Sequence, residues 1–491
     1  MLKRLSNLGF RRLLIRAGVI ISSVTAVTIY ADERGVSYRE LIVIFALAIL
    51  GVIVFGGESG IRWGFVLWVL TLALGYRTVS VTKELPLHPS EILLWLLLAC
   101  ICVQRRLVAN ARLTFPVWLW LFIPFCVLAW WPLVSISGGL RWDRMLNEFR
   151  NFVLLIPLMI VAPVVLQEKR YWRHLLAAFF IMSSFIAFLG TLEYWFPNLV
   201  SLFPEFIGKA YKPTITEEGF VRAQFAFWGS ASATFICVLA VPAVIVLGRW
   251  WARWWQRTVI GLAAGLQIVG IYIGGYRSMW LIVLIQVITA CLLRLRKQGA
   301  ILAVLFIVIS VGGYQLLPRT TERAMSGIAA LQLQPTDSSA AGRKTRALDA
   351  VEATVDAPFG GGWSRAGWVH SDFLQVAVNL GFIPAFIFLG GCIYTGIRLA
   401  RRVLPKLRRH EDVDFGLSLM VAFIGVGGIL AMEGVSVLPQ SVLPVWFVWV
   451  LADVWLRQTA DAPEANTYFL PLEYQYRLMP LQASSNLNRE A

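Results

Sequence analysis

Charged side chains are scarce in this sequence. Lys, Arg, Asp and Glu make up 15% of its 491 residues, against about 25% in a soluble domain, which excludes the ordinary soluble globular class. Histidine is almost missing, with only His88, His174, His370 and His410, so few side chains can exchange a proton near neutral pH. The six cysteines (Cys100, Cys102, Cys126, Cys237, Cys291 and Cys392) all lie in or beside apolar runs. They neither face each other across an exposed loop nor show zinc-ligand spacing, so they read as small core or lipid-facing residues rather than disulfides or metal ligands. Gly360-Gly361-Gly362 lacks the strand and the lysine of a phosphate-binding P-loop and reads as a turn. No pair of acidic residues has a spacing that identifies a metal site, and neither an internal repeat nor a low-complexity tract is present.

What the sequence has instead is hydrophobicity. Hydrophobic residues make up 58%, the mean hydropathy is +0.70, and runs such as Leu41 to Phe55, Ala223 to Leu247 and Ile301 to Leu317 carry no charge. A bilayer core takes roughly 20 apolar residues per helix. The 21 tryptophans fit rings placed at the lipid headgroups. This is the pattern of an all-α polytopic membrane protein with about 12–14 transmembrane helices. Their expected starts lie near residues 13, 41, 63, 91, 115, 152, 174, 223, 258, 278, 300, 373, 416 and 440.

The net charge of +16 is spent on topology rather than on nucleic acid. Compact basic loops recur at every second connection: Arg105, Arg106 and Arg112; Lys169, Arg170 and Arg173; Arg249, Arg253 and Arg257; Arg294, Arg296 and Lys297. The last and strongest comprises Arg398, Arg401, Arg402, Lys406, Arg408 and Arg409. All are in phase with the basic N-terminus (Lys3, Arg4, Arg11, Arg12, Arg16), which reads as an uncleaved signal anchor. The positive-inside rule then places both termini in the cytoplasm. The chain divides into transmembrane helices with short loops over 1–317, a large non-cytoplasmic loop over 318–369, further transmembrane helices over 370–456, and a cytoplasmic tail over 457–491.

Within the large loop, Arg343 to Asp356 carries Ala347, Leu348, Val351 and Val355 at helical spacing, which predicts an amphipathic helix on the protein or bilayer surface. Arg343 and Arg346 share one of its faces. Arg222, at the start of a span, and Arg277, in Gly274-Gly275-Tyr276-Arg277-Ser278, fall on the same non-cytoplasmic side. Arginine's planar fork suits phosphate oxygens. An arginine at a span boundary is most often an interfacial anchor; Arg277 is the harder one to dismiss, because it interrupts a nearly continuous apolar stretch. His370 stands where the loop enters the next span, a place more often held by a hydrogen-bonded histidine beside a helix cap than by a catalyst. Glu193, Glu217, Glu218, Asp337, Asp356, Asp372 and Glu433 lie on the same side, Glu193 and Glu433 near the outer ends of spans, and no pair among them has the spacing of a general acid/base couple.

His370-Ser371, nine residues, then Gly381, with Phe373-Leu374-Gln375 and Gly381-Phe382-Ile383 around them, resembles the histidine motif of the O-antigen ligase and O-antigen polymerase superfamily of bacterial membrane glycosyltransferases. Asp337-Ser338, Arg343 and Ala357-Pro358-Phe359-Gly360-Gly361-Gly362 resemble the loop before that histidine, and Tyr276-Arg277-Ser278 resembles the family's Ser-Arg-Gly turn. The ordered match covers roughly 220–395; Pro384, Tyr276 and Met279 depart from it. The resemblance implies a GT-C-like helical fold in the bacterial inner membrane, with the large loop periplasmic. It implies metal-independent, inverting transfer of glycan from undecaprenyl diphosphate, without a cofactor, to a glycan or a lipid A core. Arg222, Arg277, Arg343 and Arg346 would bind the diphosphate and His370 would act as general base. Ligase, polymerase and protein O-glycosyltransferase remain open as branches. A flippase for lipid-linked oligosaccharide is the alternative from another class; such transporters place charges near the bilayer midplane, often in two repeated halves.

Overall fold

A computed structural model describes residues 56–72, 79–82, 85–87, 89–103, 115–130, 142–196, 214–215, 221–223, 230–250, 253–293, 304, 308, 338–363, 369–408, 414–435 and 439–460. The helices, in chain order, are α1 (Gly57–Thr71), α2 (Pro89–Val103), α3 (Val117–Leu128), α4 (Trp142–Val153), α5 (Leu155–Val165), α6 (Lys169–Trp195), α7 (Ser230–Ala240) and α8 (Val244–Trp250). They continue with α9 (Trp254–Gly274), α10 (Arg277–Leu293), α11 (Ser338–Asp356), α12 (Asp372–Leu380), α13 (Phe382–Arg408), α14 (Asp414–Met432) and α15 (Pro439–Ala460). Two small antiparallel hairpins interrupt them: β1 (Val79–Thr82) pairs with β2 (Leu85–Leu87), and β3 (Thr214–Ile215) with β4 (Val221–Arg222).

Among the described residues, six helical segments are long and apolar enough to cross a bilayer: Met145–Val165, Arg170–Trp195, Ala231–Trp250, Trp254–Gly274, Phe382–Leu407 and Asp414–Met432. Three shorter apolar helices accompany them, Ser90–Val103, Val117–Leu128 and Arg277–Leu293. The chain is a multi-pass helical membrane protein. The spans expected near residues 13, 41 and 300 lie outside the described residues, apart from 304 and 308, as does the tail after Ala460.

At the centre stands α15. Every residue from 441 to 456 is buried, as expected of a helix that is apolar all round and enclosed by others. Its Trp446 and Trp449 join Trp118, Phe152 and Phe388 in an aromatic core. Tryptophan thus also builds the core, while Trp195 and Trp254, at the ends of two candidate spans, are exposed as the headgroup belt expects. Trp68, Trp172, Trp363, Trp446 and Trp449 are among the largest fully buried side chains. A buried indole needs a partner for its N–H, and backbone carbonyls supply most of them: Trp68 donates to Ser90, Trp172 to Leu166, Trp363 to Cys126 and Trp446 to Asn151, at 2.7–3.1 Å.

Ion pairs separate the two ends of the bundle. At one end Arg249 meets Asp414 at 2.5 Å, Glu168 pairs with Arg62 and Arg170, and Arg457 pairs with Asp453. Asp414 opens α14, and the 19 residues of that helix carry the chain about 28 Å to its other end at 1.5 Å per residue. That is close to the hydrocarbon thickness of a bilayer.

The span expected from residue 373 begins later. A short helix, α12, stops at Gly381, and α13 starts at Phe382. Gly381 adopts φ 100° and ψ 177°, a region open almost only to glycine. A Cβ there would lie 2.6 Å from the Pro358 carbonyl oxygen and the Phe359 carbonyl carbon. The glycine lets the end of the preceding loop lie flat on the helix break, where Phe382 N–H donates to Pro358 O, Gly361 N–H to Val378 O and Gly362 N–H to Asn379 O. Gly381→Ala is therefore expected to cost about 3 kcal/mol from combined strain and overlap, read as a lower thermal midpoint of the detergent-solubilised protein.

Candidate active site

The site forms at the end of the bundle opposite the Arg249–Asp414 pair. Four chain segments meet there: the α9–α10 turn, the end of α14, the start of α12, and α11 packed on α12. Helix α9 ends in Gly275, left-handed at φ 70°, and the reversal sets Arg277 and Ser278 at the first turn of α10. Helix α14 ends at Met432, and Glu433 extends it by one N–H bond to Ile429 O. Ser371 precedes the first turn of α12, leaving His370 just outside that helix. Helix α11 lies across α12.

Glu433 is the hub. Its side chain is 4% exposed, and a carboxylate so buried requires partners. Ser278 Oγ donates to Oε1 at 2.5 Å, Arg343 Nη1 donates to the same oxygen at 3.3 Å, and His370 Nδ1 stands 3.8 Å from Oε2. The last distance is an electrostatic approach rather than a full hydrogen bond. Burial pushes the Glu433 carboxyl up, but His370, the Arg343 charge and the Ser278 hydroxyl outweigh it and hold the group below the usual glutamate value. Glu433 is thus an anion at neutral pH.

On the other side of the imidazole, Arg346 Nη1 lies 3.4 Å from His370 Nε2. A guanidinium only donates, so this contact assigns the ring proton to Nδ1, facing Glu433, and the lone pair to Nε2. The imidazole thus stands between a carboxylate on the Nδ1 side and the exposed Arg346 on the Nε2 side. Its backbone is clamped by buried groups. Val369 N–H donates to Gln375 Oε1 at 3.1 Å, and the Asp372 carboxylate accepts from Val435 N–H at 3.1 Å, tying the start of α12 to the turn after Glu433.

Of the residues singled out in the sequence, His370 and Arg343 meet at Glu433, and Arg346 meets the far side of His370. Arg277 is half-buried and directly precedes Ser278, a Glu433 ligand. Arg222 ends the β3–β4 hairpin opposite Thr214, and its neighbour Ala223 donates N–H to Ile273 O at 3.3 Å. That bond holds the backbone beside Arg222 against the last turn of α9, next to the Arg277 turn. Two site residues carry no role from the sequence alone: Glu433, which it places only near the outer end of a span, and Ser278. The signal available for Glu433 was its place directly after a charge-free span end, Phe415 to Met432, where a carboxylate must be paired.

Behind α12 lies a second polar layer. Asn379 Nδ2 donates to Glu148 Oε2 at 2.7 Å, and Arg150 Nε stands 3.4 Å from Glu91 Oε2. These buried pairs fix α4, α2 and α12 in register below the site. Among the described residues no group of three or more His, Cys, Asp or Glu is placed to hold a metal ion. Neither a protein-family model nor a curated protein sequence matches this chain.

Proposed function

We propose that the chain is a membrane glycosyltransferase of the O-antigen ligase type, with a GT-C-like fold, in the bacterial inner membrane. It moves a glycan from undecaprenyl diphosphate to a hydroxyl of a growing glycan or a lipid A core. The observation that carries this reading is the arrangement around Glu433: a histidine set between a buried carboxylate and an exposed arginine, with further arginines nearby, at one end of the spans. The basic loops, including Arg170, Arg173, Arg249 and Arg253, gather at the other end, which the positive-inside rule assigns to the cytoplasm. The site and the large loop then face the periplasm.

In this reaction the acceptor oxygen attacks the anomeric carbon from the side opposite the diphosphate. A new C–O bond forms as the bond to the diphosphate breaks, so the configuration inverts. The acceptor's proton passes to His370 Nε2, with Arg346 moving off that nitrogen to the phosphate oxygens. Glu433 stabilises the imidazolium through Nδ1. The negative charge that develops on the leaving diphosphate falls among Arg277, Arg343, Arg346 and Arg222, an electrostatic role that needs fixed cations. A flippase would need its charges along a midplane path; here Arg343, Arg346, His370 and Glu433 stand at a helix-end level beside a surface helix.

The test is made in sealed vesicles holding the purified protein, with lipid-diphosphate-linked glycan in the leaflet bearing the large loop and an acceptor glycan on the same side. Formation of a new glycosidic bond is expected. Movement of the lipid-linked glycan to the other leaflet without bond formation would reject the transferase in favour of a flippase.

A further inference from the structure

The helix α11 carries three distinct stripes. One packs on the protein: Ala350 and Thr354 are buried, with Ala350 in a small cluster with Val369 and Val378 from the start and end of the α12 segment. A second holds Asp349, Glu352 and Asp356, all exposed. The third holds Leu348, Val351 and Val355, which are 59%, 47% and 62% exposed. The amphipathic helix expected from the sequence therefore does not turn its large apolar residues to the protein. It packs on small residues and leaves the large ones outside.

That outer stripe does not end with the helix. Phe359, three residues beyond α11, is 85% exposed. The Phe382 N–H bond to Pro358 O holds it beside the break where α13 begins. There Phe382, Ile383 and Phe386 are exposed in turn, at the start of a span only one-third buried within the protein and thus largely lipid-facing. Leu348, Val351, Val355 and Phe359 extend this lipid-facing surface sideways. Lys344 is also exposed, and it lies one turn before Leu348 on the same stripe. An apolar stripe with a basic end, set between a protein face and an acidic water face, is the pattern of a helix lying in the membrane interface.

We infer that α11 is an interfacial helix whose Leu348–Val351–Val355 stripe, with Phe359, is inserted among the lipid chains of the leaflet at the site, with Lys344 reaching headgroup phosphate. Its depth fixes the height of Arg343 and Arg346, which project from its first turns. Those guanidiniums are then held at the level of lipid phosphates, where a lipid-borne anion arrives by lateral diffusion. The placement of the helix does not rest on the transferase reading, because nothing in it depends on a reaction.

The test is photocrosslinking in phospholipid vesicles carrying an alkyne-tagged phosphatidylglycerol. A benzophenone amino acid is introduced at 351, 355 or 359, and at 352 as the water-face control, in the full-length chain. Lipid adducts are expected at 351, 355 and 359 and not at 352. A crosslink from 351 to a second copy of the chain or to another protein, or lipid labelling no greater than at 352, overturns the inference. A nitroxide at 351 gives an independent reading: its relaxation should respond to oxygen far more than to a water-soluble nickel chelate, and the reverse order would also overturn it.

Discussion

Replacing His370 with alanine is expected to lower glycan transfer by about 10³-fold, the middle of the range for a positioned general base, while leaving the protein in the membrane in normal amount. The side chain is 19% exposed and is held between Glu433 and Arg346 rather than packed in the apolar core. Its removal opens little apolar volume, so stability should change little. The substitution removes the only histidine among the described site residues and with it the acceptor nitrogen. Measuring transfer per mole of purified protein separates the catalytic loss from any loss of expression. If His370→Ala retained full activity, the proton would have to leave by another route and the proposed mechanism would fail. Arg277→Ala, assayed alongside, should lose activity through the leaving group instead, and a donor with a better leaving group should restore part of its rate but none of the His370→Ala rate.

Glu433 carries the second large effect, and it acts through the other side chains. Alanine there removes the acceptor of Ser278 and the counter-charge of Arg343 and His370 together. Losing one partner of a buried pair costs about 3–5 kcal/mol when the remaining charge stays buried. Arg343 is 35% exposed and can turn to water, so a cost of about 2 kcal/mol is expected. Glutamine distinguishes the roles. Its amide oxygen can still accept from Ser278, so most of the stability should return, whereas the charge that orients His370 and holds Arg343 does not. Transfer by Glu433→Gln should stay about 10²-fold down, with aspartate recovering more of it than glutamine.

The same residue sets a pH signature. Its native carboxyl is held below the ordinary value of 4.5, so its contribution to stability is fully present above that value. That contribution is lost only as pH falls through the lowered native value. In Glu433→Gln the acid-dependent part of unfolding assigned to this group should vanish. If wild type and variant destabilised in parallel on acidification, the pairing described here would be wrong.

What the sequence by itself determined was the membrane character and the arrangement of the basic loops. Hydrophobic runs and loop charge act one span at a time, so they can be read without knowing which helices touch. His370, Arg277, Arg222, Arg343 and Arg346 were visible for a similar reason: a cation or a histidine in an apolar chain stands out locally, and their order followed a resemblance. Glu433 was legible only as an acid near a span end, because its role comes from Ser278, Arg343 and His370, which are 155, 90 and 63 residues away in the chain. Only packing of α14 against α10 and α12 makes them neighbours. The orientation of α11 was undecided for the same reason. Its period showed that it has an apolar stripe, but whether that stripe meets protein depends on what α12 offers, and Val378 of α12 packs on the small Ala350 instead. The break at Gly381 depends likewise on the Pro358–Gly362 turn, which folds back onto the end of α12 and leaves room there only for a residue without a side chain.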